Sequence, residues 1–249
     1  MSKRLTGIKL SKRLGAIASL ISPCDTFTDV GTDHALLPLW LVSNGICSLA
    51  IASDINSGPL EKAKMNAYSM GIGDDRIRFI LSDGLQDIEA PVTGKNTLSI
   101  CGMGGLLIAG IMEDSKDRIR KYDTLILSPH TKQYELRHYL TDNGFVITDE
   151  KYICEDDRLY VIIKASPATS SVTGSDYTES GYRFGQFIKN ALKDDEVKYK
   201  LTDELKALEK LIAGNSLLPE DRRKALIKEA LCYREVLGIE IKGYNRHTE

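Results

Sequence analysis

The sequence lacks several features that define particular classes of protein, and each absence argues against one such class. It has no apolar run of about 18 residues, and its charged first residues lack a long apolar core, so neither a membrane span nor a signal peptide is expected. Its five cysteines include no C-x-x-C pair, which argues against a disulfide framework and a zinc site. The net charge is only -2, so binding of nucleic acid would need a local patch. We expect a cytoplasmic protein that holds no metal.

The composition and the order of patterns predict an α/β protein. With 249 residues, of which 42% are hydrophobic and 27% charged, the chain can form one or two globular domains. Short β-rich runs alternate with helical segments, which is typical of a mostly parallel sheet covered by helices. Seven strands are predicted, at 26–31, 48–55, 77–83, 97–103, 123–128, 144–153 and 158–165. The last two leave no room for a helix between them, so we expect an antiparallel hairpin at a sheet edge.

A helical unit is predicted after the sheet. The small, polar segment 166–175 has the composition of a flexible link, so we divide the chain into domains at 1–168 and 176–249. Apolar residues recur at helical spacing over 197–212 and again over 226–237. These two amphipathic helices are expected to fold back as an antiparallel, coiled-coil-like hairpin, with a shorter helix at 182–192 before it.

Acidic side chains stand at the ends of three successive predicted strands. Asp29 and Asp33 flank Gly31 at the first turn, Asp54 ends the second strand, and Asp83 ends the third. An acid at the position of Asp54 is suited to accept hydrogen bonds from ribose hydroxyls. The G-x-G-x-x-G motif of dinucleotide enzymes is absent, and carboxylates there favour a cationic cofactor such as S-adenosylmethionine. Each acid could instead cap a helix or hold a turn.

Three further features are candidate contacts. The glycine-rich loop 102–105 would allow a flat ligand to approach the backbone, although it could be only a tight turn. His34 could contact the cofactor or a core neighbour, and His130 at the end of the fifth strand could contact substrate or cap a helix. Cys101 is interpreted as a packed thiol, since no adjacent base would activate it.

The first twenty residues carry positive charge and no acid. We interpret them as a basic helix whose apolar side chains Leu10, Leu14, Ile17 and Ala18 face the protein body. Its cations would then face outward, towards phosphates if nucleic acid binds, or simply towards solvent. The cations are Lys3, Arg4, Lys9, Lys12 and Arg13.

Several motifs together resemble those of one known family. They are L-S-K-R-L at 10–14, D-V-G-T-D-H-A-L-L-P at 29–38, the acid Asp54, S-D-G-L at 82–85 and G-M-G-G at 102–105. The sequence is similar to the TrmK family, the bacterial tRNA (adenine(22)-N1)-methyltransferases, along essentially its whole length. The resemblance implies a seven-stranded Rossmann-like domain, S-adenosyl-L-methionine as the methyl donor and tRNA as the acceptor.

The resemblance also implies a role for each matching residue. Cofactor binding falls to Asp29, Gly31, Asp33 and His34 on the methionine side, to Asp54 and Ile55 at the ribose, to Asp83, Gly84 and Leu85 at the adenine, and to Gly102. The catalytic residues are expected to be Met103, Gly104 and Tyr160. The first two would lie where adenine-N6 methyltransferases carry an Asn/Asp-Pro-Pro-aromatic motif, which this chain lacks. Tyr160 is the candidate for stacking on the target base, or else an edge-strand aromatic of the core. Substrate contacts are expected from Lys9, Lys12, Arg13 and His130.

The mechanism expected from this resemblance is in-line transfer of a methyl group to adenine N1, driven by positioning rather than by a general base. Two other functions stay open. The domain could methylate a small metabolite or a protein, or the chain could be an RNA-binding module with a vestigial Rossmann domain. The helical unit could grip tRNA, dimerise or only stabilise the fold, so the chain could be a monomer or a homodimer.

Overall fold

A computed structural model describes residues 8–91, 93–168, 177–215 and 217–240. Within these ranges the strands form one sheet. They are Cys24–Val30 (β1), Cys47–Asp54 (β2), Ile77–Leu81 (β3), Asn96–Met103 (β4), Thr124–Pro129 (β5), Phe145–Glu155 (β6) and Arg158–Pro167 (β7). The helices are Lys12–Leu20 (α1), Leu36–Ser43 (α2), Ser57–Ser69 (α3), Gly105–Asp114 (α4), Lys116–Ile119 (α5), Gln133–Asp142 (α6), Glu179–Phe184 (α7), Ile188–Ala191 (α8), Asp195–Gly214 (α9) and Glu220–Leu237 (α10).

The order of the strands places a crevice beside β1. Across the sheet the described strands run β3-β2-β1-β4-β5-β7-β6. Strands β1 to β5 are parallel, and β7 is antiparallel to both β5 and β6. The winding reverses between β1 and β4, so the loops that follow these strands leave towards opposite faces and open a crevice at their carboxyl ends. The predicted seven-stranded, mostly parallel sheet with an antiparallel edge hairpin is confirmed.

Alternation along the strands builds a hydrophobic layer on each face of the sheet. Leu125 and Leu127 of β5 belong to one buried cluster, whereas Ile126 between them belongs to the other. This follows from the two-residue period of a strand, which sends successive side chains to opposite faces. Helices α1, α2 and α3 cover one layer, and the rest of the helices, including the start of α9, cover the other.

The structure corrects two helix predictions. The basic N-terminal helix begins only at Lys12, because the side chain of Ser11 caps it by accepting from the backbone N–H of Leu14 at 3.3 Å. Lys9 and Leu10 therefore precede this helix, while Lys3 and Arg4 lie outside the described residues. The predicted helix 182–192 is two short helices, since Gly185, at φ 71°, ends α7. Most of the predicted link, 169–175, also lies outside the described residues.

The two long C-terminal helices form an antiparallel hairpin. Arg223 near the start of α10 donates to the carbonyl of Ile212 near the end of α9 at 3.0 Å, and Tyr233 donates to Glu204 at 2.9 Å. The apolar side chains that hold the pair together are Leu205, Ile212, Leu226 and Ala230. Among the residues described, none of the helices combines the length and apolar composition needed to cross a bilayer.

A buried arginine attaches this helical unit to the sheet. Arg137 of α6 is fully buried and pairs with Glu150 of β6 at 2.8 Å. It also donates to the carbonyls of Tyr182 and Arg183 at the end of α7, at 3.0 and 2.8 Å. Burying a guanidinium costs free energy unless its N–H groups are hydrogen-bonded. These bonds therefore hold the end of α7 against α6 and β6.

Two glycines of α4 provide a matched test of the close packing below the glycine-rich loop. A Cβ at Gly105 would lie within 2.9 Å of backbone atoms of Thr131 and Lys132, whereas one at Gly110 would meet no heavy atom within 4 Å. We expect Gly105→Ala to lower the free energy of unfolding by about 1–3 kcal/mol. Gly110→Ala should raise it by about 0.5–1 kcal/mol, because alanine is the better helix former. Urea unfolding of both variants measures this, and equal effects would contradict the packing described.

Candidate active site

A cleft of about 530 Å³ lies at the carboxyl ends of the parallel strands. Its walls come from the loops after β1 to β5 and from the start of α1, as the crevice at the β1/β4 reversal requires. Eleven of the residues predicted from the sequence line it. They are Arg13, Asp29, Gly31, Asp33, Asp54, Ile55, Asp83, Gly84, Gly102, Met103 and His130.

Asp29 is the buried acid of the cleft. Its residue is 6% exposed. One carboxylate oxygen accepts a hydrogen bond from Thr32 Oγ1 at 2.8 Å, and the other accepts from Ser99 of β4. Burial raises the pKa of Asp29 to about 6, with the two hydroxyl bonds opposing this shift and the charge of Asp54 adding to it. At neutral pH the carboxylate is therefore largely ionised and held in one orientation between two strands and a loop.

The loop after β1 has an unusual backbone. Asp33, His34 and Ala35 follow one another with φ of 26°, 58° and 54°, a left-handed region that costs energy for residues other than glycine. The Asn66 side chain donates to the carbonyl of His34 at 3.0 Å, and the Asp29–Thr32 bond fixes the preceding turn. These contacts compensate for the strain and hold Asp33, whose side chain is 79% exposed, in the cleft lining.

Gly31 and Met103 form the floor of the cleft. Gly31 has φ 74°, and a Cβ there would collide with the terminal methyl group of Met103. Met103 follows a bulge at Gly102, where the pairing of β4 with β5 shifts register. The bulge turns the flexible apolar side chain of Met103 across the backbone of Gly31, so a ligand in the cleft meets both.

The acids after β2 and β3 lie on the same wall. Asp54 Oδ1 accepts from the backbone N–H of Asn56 at 2.9 Å, so this oxygen holds the turn after β2. The residue also lines the cleft. Asp83 is exposed and makes no side-chain hydrogen bond with the described residues. Ser82 shapes this loop: its hydroxyl accepts from the N–H of Asp87 at 3.1 Å.

The opposite wall, called the cationic wall here, carries the guanidinium of Arg13 and the imidazole of His130, and the ring of Tyr160 stands next to them. Arg13 Nη1 donates to His130 Nε2 at 3.0 Å, and the Arg13 guanidinium lies 5.0 Å from the ring centre of Tyr160. The rings of His130 and Tyr160 meet edge to face at 5.6 Å. Burial, followed by the charges of Arg13 and Arg158, lowers the pKa of His130, so the imidazole is neutral at neutral pH. Because a guanidinium can only donate, the Nε2 atom of His130 is its unprotonated nitrogen.

Six predicted site residues lie outside the cleft lining. The side chain of His34 lies beside Asp33, 3.3 Å away, and Leu85 is 1% exposed within the hydrophobic core. Gly104 caps α4, Tyr160 stands next to the cleft, Lys9 precedes α1, and Lys12 pairs with Glu196 of α9 at 2.7 Å. The roles expected of them remain predictions.

The sequence reasoning missed two residues that shape the cleft. Thr32 and Ser99 orient the carboxylate of Asp29. Ser99 had a visible signal, because it is a polar residue inside an otherwise apolar strand and a buried hydroxyl needs a hydrogen-bond partner. Cys101 lines the cleft as a thiol that burial keeps protonated by raising its pKa, which agrees with the packed thiol predicted. The described residues contain no cluster of three or more side chains suited to hold a metal ion.

A parallel sheet that reverses at β1/β4, with acids at three strand ends and a glycine-rich loop after β4, defines a Rossmann-like methyltransferase domain. Sequence comparison agrees, since the methyltransferase domain family matches residues 10–163. The tRNA (adenine(22)-N(1))-methyltransferase of Bacillus subtilis strain 168 is 35% identical over 158 residues. That alignment spans 64% of this chain and 65% of the Bacillus protein, just under two thirds of its length.

Solved structures extend the similarity to the C-terminal helices. Streptococcus pneumoniae Sp1610 in complex with S-adenosyl-L-methionine is 30% identical with a TM-score of 0.79, over 92% of this chain and 100% of the other. M. capricolum TrmK in complex with S-adenosyl-homocysteine is 28% identical with a TM-score of 0.79, over 92% and 98%. The chain therefore belongs to the methyltransferase domain family and, within it, to the TrmK family. The family resemblance predicted from the motifs is confirmed.

The buried carboxylate makes a prediction about pH and stability. The pKa of Asp29 is raised in the folded chain, so folding favours the protonated form of this side chain. The stability that follows from protonation is fully present below about pH 4 and is lost as the pH rises through about 6. Asp29→Asn keeps hydrogen-bonding atoms but no charge, and the hydroxyls of Thr32 and Ser99 can reorient towards it. We expect the variant to exceed the wild type in free energy of unfolding by roughly 1–3 kcal/mol at pH 7.5, and by little at pH 4.

Urea unfolding at several pH values, followed by circular dichroism, measures this difference. Asp74→Asn is the matched control, because Asp74 is an exposed acid at the other end of the sheet, in the loop before β3. It should change stability by less than about 0.5 kcal/mol. A difference between Asp29→Asn and the wild type that stays constant with pH would show that the Asp29 carboxylate is not desolvated.

Proposed function

We propose that this chain is a cytoplasmic enzyme that transfers a methyl group from S-adenosyl-L-methionine to N1 of adenine 22 in tRNA. One observation carries the proposal: the cleft of a TrmK-family chain has an acidic wall and, facing it, a wall with a guanidinium and a neutral imidazole, and a phenol ring stands next to these two groups. The acidic wall suits a cationic cofactor. The other wall suits an RNA base and its phosphates, because flat bases stack on aromatic and guanidinium groups.

The residues of the acidic wall fit the cofactor. When bound, S-adenosyl-L-methionine supplies an electrophilic methyl group on a cationic sulfur. We assign Asp29, Gly31 and Asp33 to its cationic methionine end, Asp54 to the ribose hydroxyls, and Asp83 with Gly84 to the adenine. The carboxylate of Asp29 is buried without a cationic partner among the described residues, so a positively charged ligand would compensate its desolvation. The cleft volume of about 530 Å³ lies within the range usual for cofactor pockets.

The cationic wall supports positioning of the target base rather than removal of a proton. N1 of neutral adenine carries an in-plane lone pair and no proton, so the chain needs to hold the base and exclude water. The base must leave its stack to enter the cleft. Tyr160 and Arg13 provide the surface on which it would rest, with Met103 and Gly102 at the floor. We assign residues 1–168 to this catalytic domain and 176–249 to a helical domain beside it.

The cofactor assignment predicts a specific loss of affinity. Asp54→Asn removes a charged acceptor of ribose hydroxyl bonds but keeps the side chain's shape and its bond to Asn56. We expect the Kd for S-adenosyl-L-methionine, measured by isothermal titration calorimetry, to rise about 10- to 100-fold. Asp74→Asn should leave it unchanged. Unaltered binding by Asp54→Asn would refute this assignment, and no binding by the wild type would favour an RNA-binding module with a vestigial domain.

The substrate assignment is tested by mapping the product. The purified chain with labelled cofactor and bulk tRNA should transfer the label, and mass spectrometry of the digested tRNA should place 1-methyladenosine at position 22. Tyr160→Ala should reduce kcat/KM for tRNA about 10- to 100-fold, while Tyr160→Phe, which keeps the ring, stays within about threefold of the wild type. Label found only on a protein or metabolite would refute the tRNA proposal. Full activity of Tyr160→Ala would refute only the stacking role of Tyr160 and would leave the tRNA proposal intact.

A further inference from the structure

The turn between β6 and β7 leaves one cation without a partner. Its sequence is Glu155, Asp156, Asp157, Arg158. Three acids so close to one arginine would be expected to neutralise the charge of Arg158. The fold uses two of these acids elsewhere. Glu155 accepts from the hydroxyl of Ser11 at 3.3 Å and from the backbone N–H of Arg13 at 2.9 Å, and Asp157 pairs with Lys200 of α9 at 2.5 Å.

The side chain of Arg158 is exposed and, among the described residues, forms no hydrogen bond or ion pair. Among the described residues Asp156, the third acid of the turn, makes no ion pair with Arg158. Asp156 and Asp157 both have left-handed φ, 49° and 60°, so the turn is a tight two-residue connection with its own fixed geometry. The guanidinium of Arg158 is therefore free to bind a ligand anion.

The position of Arg158 relates it to the cationic wall of the cleft. It lies two residues before Tyr160 on β7, so both side chains leave the same face of the sheet. Its charge is close enough to His130 to contribute to that residue's lowered pKa. Arg13 covers Tyr160 at 5.0 Å, and its guanidinium, like that of Arg158, pairs with no described carboxylate.

We propose that Arg158 is a positioning residue that binds a backbone phosphate next to the target adenine, an inference that rests on the proposed function. A base drawn out of its stack onto Tyr160 brings its flanking phosphates to the rim of the cleft. A guanidinium can bind a phosphate through two parallel N–H groups, which fixes orientation as well as adding affinity. The phosphate contact carries no sequence information, so Arg158 sets the position of the nucleotide rather than its identity.

The test compares Arg158→Ala with Arg78→Ala in the chain of residues 1–249, using steady-state methylation of tRNA. Arg78 is the matched control because it is also exposed and unpaired among the described residues, but it lies on β3 at the opposite edge of the sheet. We expect Arg158→Ala to raise KM for tRNA about 5- to 30-fold, with kcat and the Kd for S-adenosyl-L-methionine within about twofold of the wild type. Arg158→Lys should restore part of the loss.

Salt dependence gives a readout that a merely structural role would not move. The slope of log KM for tRNA against log salt concentration should fall by about 0.7–0.9 in Arg158→Ala and stay constant in Arg78→Ala. An unchanged KM and slope in an active Arg158→Ala protein would overturn the assignment of Arg158 alone. A lower melting temperature with weakened cofactor binding would also overturn it, by showing a structural role. A wild type that does not methylate tRNA would instead overturn the proposed function.

Discussion

The buried carboxylate of Asp29 joins the two strands between which the winding of the sheet reverses. Asp29 stands one residue before the end of β1, accepts a bond from Ser99 of β4 and holds Thr32 at the start of the left-handed loop. The reversal alone would give a crevice, but it would not fix the path of the chain across it. A desolvated carboxylate with two donors does fix that path, because moving either donor leaves a buried charge poorly satisfied. The cleft geometry therefore depends on an ionised group that weakens the fold at neutral pH.

The cleft separates charge, although the chain as a whole is nearly neutral. Acids at the ends of β1, β2 and β3 form one wall, while Arg13 from α1 and His130 after β5 form the other. The net charge of -2 does not show this arrangement, because the positive and negative charges of the cleft cancel when all charges of the chain are added. Each wall can attract a ligand of opposite sign, and a cationic cofactor and an anionic RNA would approach from different sides.

The sequence predicted the sheet, its edge hairpin and the acids at the strand ends, because strand periodicity and the position of polar residues after strands are local signals. It did not predict that Arg13 faces His130, since those residues are 117 positions apart and only the packing of α1 on the sheet brings them together. It assigned His34 to the cofactor only through the resemblance to the TrmK family, and that role stays a prediction. The sequence also did not predict the left-handed backbone at 33–35, which places the His34 side chain beside Asp33, since no residue in that run is a glycine that would have indicated it.

The C-terminal helices are tied to the cationic wall rather than to the acidic one. Arg137 holds the end of α7 through a buried guanidinium that donates to the carbonyls of Tyr182 and Arg183 and pairs with Glu150. The start of α9 then meets Lys12 through Glu196, and Asp157 through Lys200. Such exposed ion pairs contribute little to stability, about 0–1 kcal/mol each. Their effect is on alignment. Lys12 and Asp157 are the sequence neighbours of Arg13 and Arg158, so a movement of α9 would displace these two arginines more directly than the acids at the strand ends.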